Sequence, residues 1–363
     1  PRQGGEGQGV RFVAELLAEC PKVRLLVTSR ERLHLRAEQR YPVQPLGMRW
    51  ACELFSQRAQ AVDPDFALTA ENQATVAALC QELDCLPMAI ELSAAQIALF
   101  TPQTLLTRWQ AQWLDLLTDG PHDAPVHQRS LRAAFDQSWR LLSQAEQQLF
   151  AQLASFWGGF TPQAALAVAA AQPASLLALV HKSLVRRTQV EQTEPERCDL
   201  HALIRQYATE RLAQMPDLET TVRQRHCAFY CHLLAEQLPT LQGAAQQVAL
   251  AQIDVELANV RSAWQWAVAH QQTEQLAQAM DSLGLFYEWR NHYQEGEAAY
   301  RSAVQQLQST APPTPDTQRV LAHALAWQAT FTRIAGRLAE AIQLLEQSLA
   351  VLARIAPTGL DTR

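Results

Sequence analysis

No window of the sequence approaches ~18 uninterrupted apolar residues, and the opening Pro1-Arg2-Gln3-Gly4-Gly5 is not a basic stretch followed by an apolar one. A membrane-spanning helix and a secretory signal are therefore not expected, and a cytoplasmic protein is. Positive charge is not in excess either: 30 Lys and Arg against 36 Asp and Glu leave −6. No global field draws the chain onto DNA or an anionic membrane. A phosphate-cradling loop is also missing. Gly4, Gly5, Gly7 and Gly9 are not followed by Gly-Lys-Ser/Thr, which would supply a cation for the phosphates and a hydroxyl for magnesium. They read as a loop or a cut end. No apolar strand ending in Asp-Asp or Asp-Asn precedes Arg30.

What is present suits a protein with packed cores. Of 363 residues, 48% are apolar and 18% charged, which excludes wholesale disorder and leaves room for two to four domains. The seven cysteines, at 20, 52, 80, 85, 198, 227 and 231, are odd in number and lie mostly in apolar helical patterns, as reduced, buried thiols do. His226-Cys227-x3-Cys231-His232 places two thiols one helical turn apart, but a closed zinc site needs four ligands, so a core reading is preferred and no metal is expected.

Val10, Val13, Leu16 and Leu17 recur at helical spacing, and Val23-Arg24-Leu25-Leu26-Val27 follows as a short aliphatic run. That order predicts one unit of a covered parallel sheet, with Thr28-Ser29-Arg30 at the carboxyl end of its strand, where such sheets bind ligands. From residue 48 the periods are helical, as in Leu54, Phe55, Ala59, Val76, Leu79, Cys80 and Leu83. Thr101-Pro102 and Thr161-Pro162 pair an N-cap hydroxyl with a first-turn proline, Ser143-x-x-Glu146 has capping-box spacing, and Gly158-Gly159 marks a helix stop. Leu184 to Arg187 and Cys198 to Leu200 flank a polar stretch and predict a β-hairpin, hence a winged helix. Tyr293-x-x-Gly296-x-x-x-Tyr300-x-x-Ala303 and Leu338-x-x-Ala341-x-x-x-Leu345-x-x-Ser348 superimpose, with small and large residues in the same order. They resemble the second helix of tetratricopeptide repeats, and the Pro-rich segment 311–315 reads as an added loop. The tryptophans at 139, 157, 264, 266, 289 and 327 read as packing residues.

Three landmarks occur in order: Leu25-Leu26-Val27-Thr28-Ser29-Arg30, Tyr41-Pro42-Val43-Gln44-Pro45-Leu46, and Cys85-Leu86-Pro87-Met88-Ala89-Ile90-Glu91-Leu92. With Leu131 to Phe160, Leu177 to Arg187 and Leu200-His201-Ala202-Leu203-Ile204-Arg205-Gln206-Tyr207-Ala208, they resemble the STAND-class, NB-ARC-like signalling ATPases and the bacterial transcriptional regulators built on them. The resemblance spans roughly residues 11 to 270. It implies a mainly α chain: the C-terminal part of a P-loop α/β core (1–47), a helical domain (48–126), a winged helix (127–213) and a tetratricopeptide-like superhelix (214–363).

The resemblance also assigns roles. Arg30, beside Thr28 and Ser29, would read the terminal phosphate, Pro87 would pack on adenine, and His201 would contact the β-phosphate of ADP. The implied cofactor is ADP or ATP, with magnesium only where the P-loop part is present. The missing P-loop and acidic strand imply a chain that starts after them and does not hydrolyse ATP by itself. The implied function is a nucleotide-dependent switch in a transcriptional regulator. Its repeats would sense a protein partner or small-molecule inducer, and nucleotide would drive self-assembly. DNA binding through this segment, and membrane binding, are not expected. Cys85, in place of the family's glycine, and Ala202, in place of its aspartate, favour the alternative of an interaction scaffold with a vestigial site.

Overall fold

A computed structural model describes residues 4–20, 22–28, 33, 35–39, 41, 43–112, 131–188, 196–309 and 314–355. The described chain is helical apart from one short hairpin, and it divides into two compact units. The first comprises Pro1–Ala151, Gln172–Arg187 and Leu200–Arg211, and the second Gln152–Ala171, Thr188–Asp199 and Leu212–Arg363.

In the first unit, α1 (Gly4–Glu19) is followed by α2 (Met48–Val62), α3 (Gln73–Glu82), α4 (Pro87–Ala95) and α5 (Pro102–Gln112). The glycine stretch expected to be a loop is thus the first part of α1. Each glycine costs a helix about 1 kcal/mol, but a helix nucleated at Val10 to Leu17 gains one hydrogen bond per residue as it extends. The expected strand at Val23 to Val27 does not form, and Leu26 is 97% exposed. A parallel strand is held by neighbouring strands, and neither of the two strands among the described residues pairs with this run. The helical periods beyond it hold: Phe55, Ala59, Val76, Leu79, Cys80 and Leu83 are wholly buried, where α2 packs on α3 and α4.

The same unit contains α6 (Leu131–Arg140), most of α7 (Gln144–Leu153), α9 (Pro173–His181) and most of α10 (Ala202–Ala213). The capping box is present, with the Ser143 N–H donating to Glu146 Oε2 at 2.7 Å and the Glu146 N–H to Ser143 Oγ at 3.3 Å. Trp139 packs edge-on to Tyr207 and tilted against Phe150, so it is a packing residue as expected. The Tyr207 hydroxyl donates to Asp136 at 2.7 Å, and Arg211 pairs with the same carboxylate.

In the second unit, α8 (Pro162–Ala169) starts at Thr161, whose Oγ1 accepts from the Ala164 N–H at 3.1 Å. The expected hairpin is present as β1 (Arg186–Thr188), of which only Thr188 belongs to this unit, and β2 (Arg197–Asp199), and Cys198 also exchanges two backbone hydrogen bonds of 2.8 Å with Phe160. Then come α11 (Pro216–Leu241), α12 (Gln246–Ala269), α13 (Thr273–Trp289), α14 (Tyr293–Gln308), α15 (Pro315–Ile334) and α16 (Leu338–Ile355). Successive helices pack on one another as helical repeats. The two superimposable sequence motifs are α14 and α16. Pro315 is not loop but the first residue of α15, capped by Thr314 Oγ1, which accepts from the Thr317 N–H at 3.1 Å. Residues 311–313 lie outside the described residues. Trp264 is buried, whereas Trp157 is half exposed in the loop after α7, contrary to its expected packing role. A loop residue is not carried into the core by helical periodicity.

A polar network lies inside this unit. Arg197 pairs with Glu256, and Asn259 Nδ2 donates to Glu256 Oε2 at 3.0 Å and to the Gly159 carbonyl at 2.8 Å. Asn259 Oδ1 accepts from the Trp157 N–H at 2.7 Å and lies 3.4 Å from His226 Nε2. Burial drives His226 from its ordinary 6.5 down to about 4. The folded chain therefore keeps it neutral, while the unfolded chain takes up a proton from about pH 6.5 downward. Stability present above pH 6.5 is lost as pH falls toward 4, by up to roughly 3 kcal/mol. Urea midpoints of wild type and His226→Gln at pH 7 and pH 4.5 should show the steeper fall in wild type.

Candidate functional site

Pro87 is the first residue of α4, its ring supplying the φ that a helix start requires. The turn before it is Leu83-Asp84-Cys85-Leu86. Asp84 and Cys85 both have left-handed backbone, at φ 51° and 53°. The Asp84 N–H donates to the Gln81 carbonyl at 2.8 Å, the Cys85 N–H to Cys80 at 2.9 Å, and the Leu46 N–H to the Cys85 carbonyl at 3.1 Å. These bonds hold a turn in which only glycine is free of strain at Cys85. The glycine that the resemblance implies at this position would relieve that strain. Replacing Cys85 by Gly should raise stability by about 1 kcal/mol, since the left-handed conformation costs most L-residues about 1–2 kcal/mol. Urea denaturation of the two chains measures the difference.

His201 immediately precedes α10, and the structure brings it to this turn. Its Nε2 lies 2.9 Å from Asp84 Oδ2, with the imidazole 7% and the carboxylate 30% exposed. Its Nδ1 accepts from the Leu203 N–H at 3.3 Å, which places the proton of the neutral ring on Nε2, facing Asp84. The contact is close, but it is not aligned as a hydrogen bond. The Ala202 N–H donates to the same Oδ2 at 3.3 Å. Burial would raise the Asp84 carboxyl, yet His201, the positive field of Arg186 and the Ala202 N–H together hold it below its usual value. A carboxylate thus sits at a helix N-terminus, where backbone donors and the helix dipole favour an anion.

Of the other residues expected at the site, Thr28 is exposed in the segment after Val27, while Ser29 and Arg30 lie outside the described residues. The structure therefore brings the turn at Pro87 together with His201. The sequence reading missed Asp84, whose only local signal is an acidic residue in the turn before Leu-Pro. Lys182, at the end of α9, has its Nζ 2.8 Å from Glu146 Oε1, with both side chains mostly buried.

Residues 142–213 match the winged helix-turn-helix domain family. The Putative HTH-type transcriptional regulator Rv0890c of Mycobacterium tuberculosis is 34% identical over 306 residues, which cover 81% of this chain and 34% of that protein. The Uncharacterized protein Rv0894 of the same organism is 32% identical over 222 residues, 58% of this chain and 55% of that one. The chain thus spans about a third of the first relative and about half of the second. A solved structure, the Signal Transduction ATPase with Numerous Domains (STAND) protein with a tetratricopeptide repeat sensor PH0952 from Pyrococcus horikoshii, aligns at a TM-score of 0.31 and 14% identity, covering 97% of this chain and 48% of that one. The winged helix read from the sequence is therefore present, in a chain similar over most of its length to a protein designated an HTH-type transcriptional regulator.

Proposed function

We propose that the chain is the switch and sensor part of a transcriptional regulator whose state is set by ADP or ATP, with the helical repeats receiving a protein partner or small-molecule inducer. The observation that carries this is the convergence of His201 Nε2 and the Ala202 N–H on one anionic oxygen beside the turn that leads into Pro87. Such donors suit a phosphate, and Pro87 offers a rigid apolar ring without a competing donor. His201 would hold a phosphate oxygen through its Nε2 proton, Pro87 would cover the base, and Arg30 would supply a fixed positive charge at the terminal phosphate. The nucleotide itself would contribute the negative charge whose number and placement differ between ADP and ATP. Phosphoryl transfer would need a P-loop and magnesium ligands, which these residues do not include.

Two global states biased by one ligand make a switch, provided the ligand interacts differently with each. The test is light scattering of the chain extended upstream through a P-loop segment, with ADP and with ATP. A change in mass or shape between the two is expected, and identical profiles under saturating nucleotide would contradict the reading. The scaffold alternative draws on Cys85 and Ala202, and tight nucleotide binding by the extended chain would remove it. DNA contact through α9 would compete with the Lys182–Glu146 pair.

A further inference from the structure

We propose that the Asp84 carboxylate is the built-in occupant of an anion site formed by His201 and the first N–H of α10, and that a phosphate-class anion binds there only by displacing it. The inference rests on the reading of His201 as a phosphate contact and adds the residue that competes with the phosphate.

The Ala202 N–H donates to Asp84 Oδ2 at 3.3 Å, and His201 Nε2 lies 2.9 Å from the same atom. The imidazole is more than nine-tenths buried, so its Nε2 proton has no recourse to bulk water and needs an acceptor at this spot. Asp84 supplies one imperfectly: the separation is 2.9 Å, but the direction is poor. The buried Nε2 is thus left without a well-aligned acceptor. Position 202 is alanine, so no carboxylate comes from α10 itself, and one is brought instead from a turn over a hundred residues earlier.

The anion can also be exchanged. Asp84 is 30% exposed while His201 is 7% exposed, so solvent reaches the carboxylate and not the donor behind it. Two anions cannot share one pair of donors at contact distance without strong repulsion, so carboxylate and phosphate exclude each other. When Asp84 holds the site, the α3–α4 turn is tied to the start of α10. When a phosphate-class anion holds it, that tie is released. Anion binding is thereby coupled to the grip of the helical segment on the start of α10, through one oxygen position.

The probe is inorganic pyrophosphate, titrated calorimetrically into this 363-residue chain, into Asp84→Asn, and into Asp84→Asn combined with His201→Ala. Asn and Gly both tolerate the left-handed backbone at φ 51°, so Asp84→Gly serves as the second variant should Asp84→Asn fail to fold. Removing the competitor should tighten pyrophosphate binding at least tenfold over wild type, and His201→Ala should abolish the gain. Binding by Asp84→Asn and Asp84→Gly no tighter than wild type, or a gain that persists without His201, would overturn the proposal. Failure of ADP to bind the upstream-extended chain would sink the nucleotide reading alone, because the pyrophosphate comparison is made without adenine or a P-loop.

Discussion

Glu256→Ala should destabilise the second unit by about 3–5 kcal/mol, the largest effect expected of any single substitution here. Arg197 and Glu256 are each 8% exposed, and each charge is tolerated inside only because the other is present. Truncating Glu256 leaves a buried guanidinium without its counter-charge. It also strips one acceptor from Asn259 Nδ2, which still has the Gly159 carbonyl. The damage falls where β2 and the Gly158–Gly159 turn meet α12, because Arg197 belongs to β2 and Glu256 to α12. Breaking a buried pair is costly, whereas replacing both partners by apolar groups of similar volume is often neutral. Arg197→Met with Glu256→Leu should therefore recover most of the loss. Urea unfolding followed by tryptophan fluorescence measures both variants, and a loss under ~1 kcal/mol for Glu256→Ala would show the pair to be effectively solvated.

Gly284→Ala should also destabilise, by about 3 kcal/mol, although helix propensity taken alone predicts a gain of about 1 kcal/mol. Gly284 lies in the interior of α13, and a methyl group there would stand 2.5 Å from Cδ2 and Cε2 of Trp327 on α15. The indole has little freedom to move aside. Its Nε1 donates to Asp281 at 3.0 Å, and its ring stacks near Tyr300 and Phe331 at centroid distances of 5.9 and 6.0 Å. Overpacking against a fixed ring outweighs the gain in propensity. Gly296→Ala meets the Phe331 ring at 2.7 Å and should act in the same direction. The shift in urea midpoint gives the sign, and a stabilised Gly284→Ala would mean that the α13–α15 contact is looser than described.

What was legible in the sequence was local or periodic. The caps at Ser143 and Thr161 depend on residues three apart, and each forms as read. Gly296 stood out as the small residue of a repeated helix, and its contact with Phe331 gives that smallness a cause. Gly284 did not stand out, because the ring that requires it comes from another helix. The aliphatic run Val23 to Val27 reads as a strand by composition, but strand formation depends on neighbours that composition cannot reveal. The glycine stretch failed in the opposite sense, since cooperative extension of a helix overrode weak local preference. Glu256 and Asn259, polar positions within the apolar pattern of Ile253, Val260 and Ala263, carried a signal of a buried network that the sequence reading did not use.

The candidate site divides in the same way. Pro87 and His201 are proposed for the site on their motifs, with Cys85 and Ala202 as departures from them. Asp84 became visible only when folding placed its carboxylate against His201. The left-handed turn that aims it also explains why glycine suits position 85. Sequence spacing gives no hint of that contact, since the two segments meet across the helical and winged-helix parts of the first unit.

The most direct test of the account is ADP binding by calorimetry, comparing this chain with the same chain extended upstream through a P-loop segment, each with and without His201→Ala. The account predicts binding by the extended chain alone and its weakening at least tenfold on loss of His201. Absence of binding by the extended chain, or binding indifferent to His201, would contradict a nucleotide-set switch at this site.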